Sequence, residues 1–572
     1  MLYLLIESRL KAVVAELLPE ANLSLIAVKP CPDPKFGDYQ TSALMGLAKQ
    51  RKLNPRQLAT DVLAKLQLGD ICEAVDIAGA GFLNFRLKSA ALCTTLREAA
   101  QGKHLFFQPV EKPLTYVVDF SSPNVAKPMH VGHIRSTVLG ECLSRNLRLL
   151  GHRVITDNHI GDWGTQFGKL IVGWKKHLDQ AALEKDAIAE MERLYKLVNS
   201  ASEADPAVAN EARAELVKLQ QGDETNLEIW RRMIALSQNQ FDTIYGRLGA
   251  TFDHTYGESF YNEALQPLAA DLLQKGISRE SDGAQVIFYE DIPELKAQPA
   301  VVLKSDGAAN YLTTDLATIA YRTRTWQPDE ILYVTDGRQQ LHFKQLFTAY
   351  RKWQPEATVR LQHVWFGAIL GEDGKPFKTR SGDTVRLSEL LDEAEERALT
   401  TVTEKNPDLP EAQRKEIARV VGLGAVKYAD LLPNRQSDYV FSWDKMLALT
   451  GNTAPYLLYA YTRVRSIFRK VEPGDLNPGS ELTLTTADEL ALAKHLLNFG
   501  LTLQAVAEEC RPNYLCNYLF ELAGHFARFY ESSPVLKVAG VERASRLALC
   551  ELTGRVLKQG MYVLGIETTE QM

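Results

Sequence analysis

Apolar residues fall at helical spacing from the start of the chain. Leu2, Leu5, Ile6, Leu10, Val13, Val14 and Leu17 return every three or four positions, which predicts an amphipathic helix. Pro30–Gly37 is rich in turn formers, and Gly81-Phe-Leu-Asn-Phe-Arg-Leu87 reads as a strand. Residues 1–112 are therefore expected to form a small α+β domain, ending in a linker over Gly102–Pro113. A different pattern begins at Thr115-Tyr-Val-Val-Asp-Phe120, an apolar run that predicts a buried strand. Ser121-Ser-Pro-Asn124 supplies a turn. Val131, Ile134, Val138, Cys142 and Leu149 then line one face of a helix, and Gly151 suits its C′ position. Strand, turn and helix in this order open a nucleotide-binding α/β unit. Further strands are expected at 153–157, 330–335 and 361–369.

Between these strands, residues 175–245 read as helices. Their middle, Ala201–Gln221, is rich in Ala and Glu and suits a solvated insertion. From about 385 onward the pattern is mostly helical, with Pro473–Ser480 as a loop. The expected fold class is an α/β core, Rossmann-like with a parallel sheet, flanked by an N-terminal α+β domain and a C-terminal all-α bundle. The expected boundaries are 1–112, 113–390 with a helical insertion at about 175–300, a connecting helical segment 391–450, and 451–572.

Composition narrows the function. The 572 residues are 45% hydrophobic and 24% charged, ordinary globular values. The net charge of −6 excludes a general polyanion binder. Residues 1–112, however, carry 14 Lys and Arg against 11 Asp and Glu, a local balance of +3. Glu7, Arg9 and Lys11 interrupt the first apolar stretch, so it suits a helix better than a signal peptide. No run of 18 uncharged apolar residues occurs, and no membrane association is expected. The seven cysteines are odd in number and no two are spaced as CxxC. A disulfide framework and a zinc site are not expected, and a reducing cytosol is.

The chemistry concentrates in Asp119-Phe-Ser-Ser-Pro-Asn-Val-Ala-Lys127-Pro-Met-His130-Val-Gly132-His133. Two imidazoles flank a glycine where a helix starts after a buried strand. A helix N-terminus offers free N–H groups and partial positive charge. Gly132 lets a base or ribose lie on the backbone. His130 and His133 can donate to phosphate oxygens, and Lys127 adds a full charge. This set suits a nucleoside triphosphate.

Pro-Met-His-Val-Gly-His resembles the HIGH motif of class I aminoacyl-tRNA synthetases. The longer run from Ser121 to Ser136 resembles that of the arginyl-tRNA synthetases in particular. So do Asn158-His-Ile-Gly-Asp-Trp-Gly-Thr-Gln-Phe-Gly168 and Gly451-Asn-Thr-Ala-Pro-Tyr-Leu-Leu-Tyr-Ala-Tyr461. The resemblance implies two steps: attack of the arginine carboxylate on the α-phosphate of ATP carrying Mg2+, then transfer to the terminal adenosine of tRNA(Arg), generally at its 2′-OH. A carboxylate needs no general base for this; it needs positioning and neutralised phosphate charge. The family's mobile KMSKS loop corresponds to Lys375-Pro-Phe-Lys378-Thr-Arg380-Ser-Gly382. Here Thr379 stands where the second lysine normally sits, and Lys127 is expected to supply the missing charge. His130, His133, Lys127, Lys378 and Arg380 are the expected catalytic residues. His130, Gly132, His133, His342 and Lys378 are expected around ATP.

A guanidinium fork calls for carboxylates. Asp119 is one candidate. Tyr311 and Asp315, four apart, would share a helix face. The resemblance places Asp119, Tyr311 and Asp315 around the guanidinium, and Asn124 and Gln339 near the α-amino group. Trp163 fits a core role as well as a ligand contact. Such charge pairing rejects neutral analogues without a hydrolytic second site, so no editing domain is expected. Tyr456, Tyr459, Arg463 and Arg465 interleave rings and cations as RNA stacking does, although the same spacing fits core tyrosines beside a solvated basic face. The resemblance implies anticodon binding by the C-terminal domain and elbow contact by the N-terminal one. A monomer is expected. The rivals are another class I synthetase, a small-molecule adenylyltransferase that also carries HxGH, and a non-catalytic tRNA-binding paralogue.

Overall fold

The computed structural model describes residues 1–377, 385–472 and 479–572. Two compact units are present: residues 1–109, 448–562 and 567–572 form one, and residues 110–447 with 563–566 form the other.

In the first unit the helix Leu2–Leu17 buries Leu2, Tyr3, Ile6, Leu10 and Val14, while Leu5 faces solvent. It accompanies an antiparallel sheet ordered Lys29–Pro30, Tyr39–Thr41, Phe82–Leu87, Cys72–Ala78. The C-terminal helices join the same unit: Lys494 Nζ pairs with Asp38 Oδ1 at 2.7 Å, and Arg555 Nη1 donates to Ala99 O at 2.8 Å. Among the described residues, only Ala487–Glu509 is long and apolar enough to cross a membrane. It is divided into the helices Ala487–Leu496 and Phe499–Glu509; the first buries Leu492 and Leu496 in the core and the second Phe499 and Leu503.

The second unit is built on β1 (Thr115–Phe120), α1 (Val131–Leu149) and β2 (Arg153–Asp157). Helices follow, among them α2 (Ala187–Ala204) and α3 (Glu224–Leu248). The rest of the sheet comes with α4 (Tyr311–Trp326), β3 (Glu330–Val334), α5 (Gln340–Trp353) and β4 (Arg360–His363). Strand order is β4-β3-β1-β2, all parallel. Connections diverge on either side of β1, so the crevice at the carboxyl ends of β1 and β3 is the topological switch point. At Gly140 an added Cβ would sit 2.2 Å from the Phe120 ring, so glycine lets α1 lie directly on β1.

Two expectations shift. The expected 361–369 strand ends at His363, because Gly367 leaves the sheet; its N–H bonds Arg435 O and its carbonyl accepts from Arg135. The insertion is helical only to Gln274. Ser278–Ser281, Ala284–Ile287 and Ala300–Leu303 then form an antiparallel sheet. Its first hairpin turns on Asp282-Gly283, both at positive φ (50° and 76°), the pair that a two-residue hairpin favours. That signal stands in the sequence beside the longer helical pattern that masked it.

Candidate active site

His130 is the N-cap of α1, and the two imidazoles are built into the cap itself. His130 Nδ1 accepts from Gly132 N at 3.1 Å, and His133 Nδ1 accepts from His130 N at 3.0 Å. With both Nδ1 atoms accepting, each neutral ring carries its proton on Nε2. The rings stand 4.0 Å apart. A Cβ on Gly132 would meet the His130 ring at 2.9 Å, so only glycine admits this arrangement. Burial lowers the His133 pKa to about 3, and burial followed by Arg338 and Lys127 lowers that of His130. These are neutral donors rather than cations.

The free backbone N–H groups expected at this helix end are already used. Val131 N donates to Val385 O at 3.0 Å, Gly132 N to His130 Nδ1, and His133 N to His130 O at 2.8 Å. A histidine ring takes the Gly132 donor, and backbone carbonyls take those of Val131 and His133. An anion arriving here would meet the Nε2–H groups, the helix dipole and side-chain cations.

Lys127 is exposed, with its ammonium 5.5 Å from the Tyr195 ring centroid. Arg338, which the motif reading did not single out, is also exposed and pairs with Asp336 at 2.8 Å. Lys378 and Arg380 lie outside the described residues. Of the described residues on either side, Phe377 N donates to Ile369 O at 3.1 Å, and Leu387 N to Met129 O at 2.9 Å. Val385 and Leu387 thus lie alongside the start of α1. Arg135, two residues beyond His133, donates to the Gly367 and Ser437 carbonyls and pairs with buried Asp430 at 3.1 Å.

Carboxylates gather at the strand ends. Parallel register sets Asp119 beside Asp157, and Arg322 lies between them, 2.6 Å from Asp119 Oδ2 and 2.8 Å from Asp157 Oδ2. All three are buried. Burial alone would weaken the hold of Arg322 on its proton, but the two aspartates reverse this and keep it charged. Asp157 is pushed upward, because burial outweighs the pull of Arg322. Asp119 Oδ1 accepts from Ser122 Oγ at 3.2 Å. Sequence reasoning missed Arg322, although it lies seven residues beyond Asp315, two turns along α4.

Tyr311 opens α4 and is 60% exposed, its ring edge-on to His342 at 4.8 Å. His342 Nε2 lies 2.5 Å from Asp315 Oδ2. An ionised carboxylate only accepts, so Nε2 carries the proton. The structure thus groups His342 with Tyr311 and Asp315. Half-buried Glu258 was also missed. Burial raises its carboxyl to about 7, His159 opposes this, and Asp315 and Asp162 add to it. Asn124 is exposed and bridges to Gly161, where an added Cβ would meet Asn124 Oδ1 at 2.3 Å. Gln339 is exposed in the turn after β3.

On helix α6 (Ala454–Phe468) Tyr459 is 46% exposed. The Arg463 guanidinium stands 5.3 Å from its ring and 5.2 Å from that of Tyr530. Tyr456 packs on Phe520. Arg465 is instead paired with Glu570 at 2.7 Å.

Comparison with known proteins agrees with this geometry. Residues 98–443 match the family model for class I tRNA synthetases (R), catalytic domain. Residues 457–572 match the DALR anticodon binding domain, and residues 4–87 the arginyl tRNA synthetase N terminal domain. The chain is 46% identical to an arginine–tRNA ligase of Chromobacterium violaceum over 99% of both chains. It superposes on the Thermus thermophilus arginyl-tRNA synthetase with a TM-score of 0.84, at 28% identity over 100% of both chains. The Plasmodium falciparum arginyl-tRNA synthetase gives 0.81 and 27% over 100% of this chain and 99% of that one. A parallel-sheet core carrying HxGH, matched to these relatives from end to end, places the chain in the arginyl-tRNA synthetase family of class I.

Proposed function

We propose that the chain activates L-arginine with ATP and transfers it to the 3′-terminal adenosine of tRNA(Arg), releasing pyrophosphate and AMP. The observation that carries this reading is a capped histidine pair beside a pocket of carboxylates at one sheet switch point. In the first step the arginine carboxylate attacks the α-phosphorus of ATP, which brings Mg2+ with it as a substrate complex. The bond to the β-phosphate oxygen breaks and pyrophosphate leaves. His130 and His133 donate Nε2–H to the developing phosphate charge. Being neutral, they leave charge compensation to Lys127, Arg338, Lys378 and Arg380. In the second step a ribose hydroxyl attacks the acyl carbon, AMP leaves, and the hydroxyl proton passes to its phosphate.

Asp315, oriented by His342, is the principal guanidinium acceptor. Tyr311 and Glu258 flank it, and Asp119 contributes through Oδ1, because Oδ2 is engaged by Arg322. Asn124 and Gln339 take the α-ammonium group. Tyr456, Tyr459 and Arg463 contact tRNA, whereas Arg465 must first part from Glu570. A reducing cytosol fits seven free cysteines. Aminoacylation with each of twenty amino acids and total tRNA tests the reading. Arginine alone is expected to be charged; charging of another amino acid, or of none, overturns it. Lys127→Ala should slow adenylate formation, and a normal rate would remove Lys127 from the phosphate side.

A further inference from the structure

The turn between β1 and α1 is held in a conformation that its residues disfavour. Among the described residues, eight non-glycine positions have positive φ, and three of them fall here: Ser121 at 73°, Ser122 at 49° and Ala126 at 61°. Left-handed backbone is costly for such residues and persists only where the surroundings over-determine it. The turn carries Asn124 and Lys127, and its Ser122 hydroxyl reaches Asp119.

Part of the restraint comes from α1 and the loop after β2. Ser136 Oγ accepts from Ser121 N at 2.8 Å, and Asn158 Oδ1 from Ser122 N at 3.0 Å. The rest comes from the helical insertion. Buried Ser237 on α3 accepts from Ala126 N at 2.9 Å. Two turns along, buried Tyr245 accepts at its hydroxyl from Asn158 Nδ2 at 3.0 Å, which leaves its own proton for Ser121 Oγ at 2.8 Å. From α2, Tyr195 offers its ring to the Lys127 ammonium. The insertion thus meets the turn at Ser121, Ala126 and Lys127.

We propose that Ser237 and Tyr245 are positioning residues for the arginylation reaction, clamping the β1–α1 turn so that Asn124 and Lys127 stand ready for substrate. The insertion then belongs to the catalytic apparatus rather than serving as solvated scaffold. The proposal rests on the arginine–ATP reading of the site above.

The test compares wild type, Ser237→Ala, Ser237→Thr and Tyr245→Phe in arginylation kinetics and in amide hydrogen exchange across residues 119–130. Ser237→Ala is expected to lower kcat about ten-fold, the effect of one net hydrogen bond, with the KM for tRNA unchanged and faster exchange in that peptide. Ser237→Thr should restore both. Glycine adopts a φ near 61° without penalty, so Ala126→Gly added to Ser237→Ala should recover most of the lost kcat. Wild-type kcat and exchange in both Ser237→Ala and Tyr245→Phe would overturn the clamp while leaving the arginylation reading intact. A loss that Ala126→Gly fails to relieve, with a raised KM for tRNA, would also overturn it. A wild-type protein that charges no arginine would overturn both readings together.

Discussion

Replacing Arg322 with methionine removes one cation from between two carboxylates. Side-chain exposures are 0% for Arg322, 6% for Asp119 and 0% for Asp157, so water cannot take its place. Breaking a single buried ion pair by deleting one partner costs about 3–5 kcal/mol. Here one guanidinium serves two acids in adjacent strands, so the upper part of that range is expected. Against a usual total of about 5–15 kcal/mol, this is a large fraction. The assay is urea unfolding of the full chain at pH 7 and again at pH 5. The sign follows from Asp157, whose folded pKa is already raised by burial despite Arg322. Without the cation it rises further. Between the ordinary carboxylate pKa and that raised value, the folded chain binds more protons than the unfolded one, so stability increases as pH falls. The deficit of Arg322→Met should therefore shrink on acidification, and Asp157→Asn added to it should recover part of the loss at pH 7. A variant within about 1 kcal/mol of wild type at pH 7, well under the cost of an uncompensated buried charge, or a deficit that widens toward pH 5, would refute the reasoning.

Asp315→Asn should raise the KM for arginine about ten-fold or more, the worth of a charged hydrogen bond, and leave the KM for ATP unchanged; a matching rise in both would move Asp315 out of the amino-acid pocket. Glu258, with a pKa of about 7 in the free protein, is expected to ionise when a guanidinium arrives. Arginine binding should then tighten from pH 6 to pH 8 and release protons in calorimetry, and Glu258→Gln should flatten that dependence; a flat wild-type profile would contradict the assignment. His133, with a pKa of about 3, stays neutral through the physiological range. The acid limb of kcat should consequently be the same in His133→Asn, although its rate falls about 100-fold with one phosphate donor gone. Arg463→Gln should weaken tRNA binding and reduce its logarithmic salt slope by about 0.7–0.9, measured by filter binding across salt concentrations; an unchanged slope would remove Arg463 from the phosphates.

How legible each part was depends on the range of the interactions that set it. The β1–α1 unit is local: an apolar run and a helical stripe, each readable in a short window, and each found where the pattern puts it, while the turn between them falls at Val125-Ala126, just after the expected Ser121–Asn124. Tyr311 and Asp315 were legible for the same reason, as one helix face. Arg322, on the continuation of that face, was hidden because its meaning comes from Asp119 and Asp157, residues 203 and 165 positions away. The same holds for Ser237 and Ala126, 111 apart. The histidine cap shows the opposite failure. HxGH signalled anion binding, yet the spacing also lets the two rings take the His130 and Gly132 N–H groups, while backbone carbonyls take those of Val131 and His133.

On the proposed assignment of the pocket, its charge arithmetic accounts for both stability when empty and selectivity when filled. Asp119 and Asp157 share Arg322, and Asp315 has the His342 proton. Among the described residues Glu258 forms no ion pair, and burial together with Asp315 and Asp162 raises its carboxyl to about 7. Protonated, it adds no charge to an empty site. In the proposed site arginine would bring a cation, and the proton would leave. A neutral isostere such as citrulline cannot discharge it, and would leave Asp315 facing an uncharged amide inside a half-buried site. Because an unsatisfied charged acceptor costs more than a lost neutral contact, rejection arises in the first binding event. On that ground citrulline should fail to compete with arginine even in excess, and inhibition by citrulline with a constant near the KM for arginine would show that the carboxylates are not what selects the side chain.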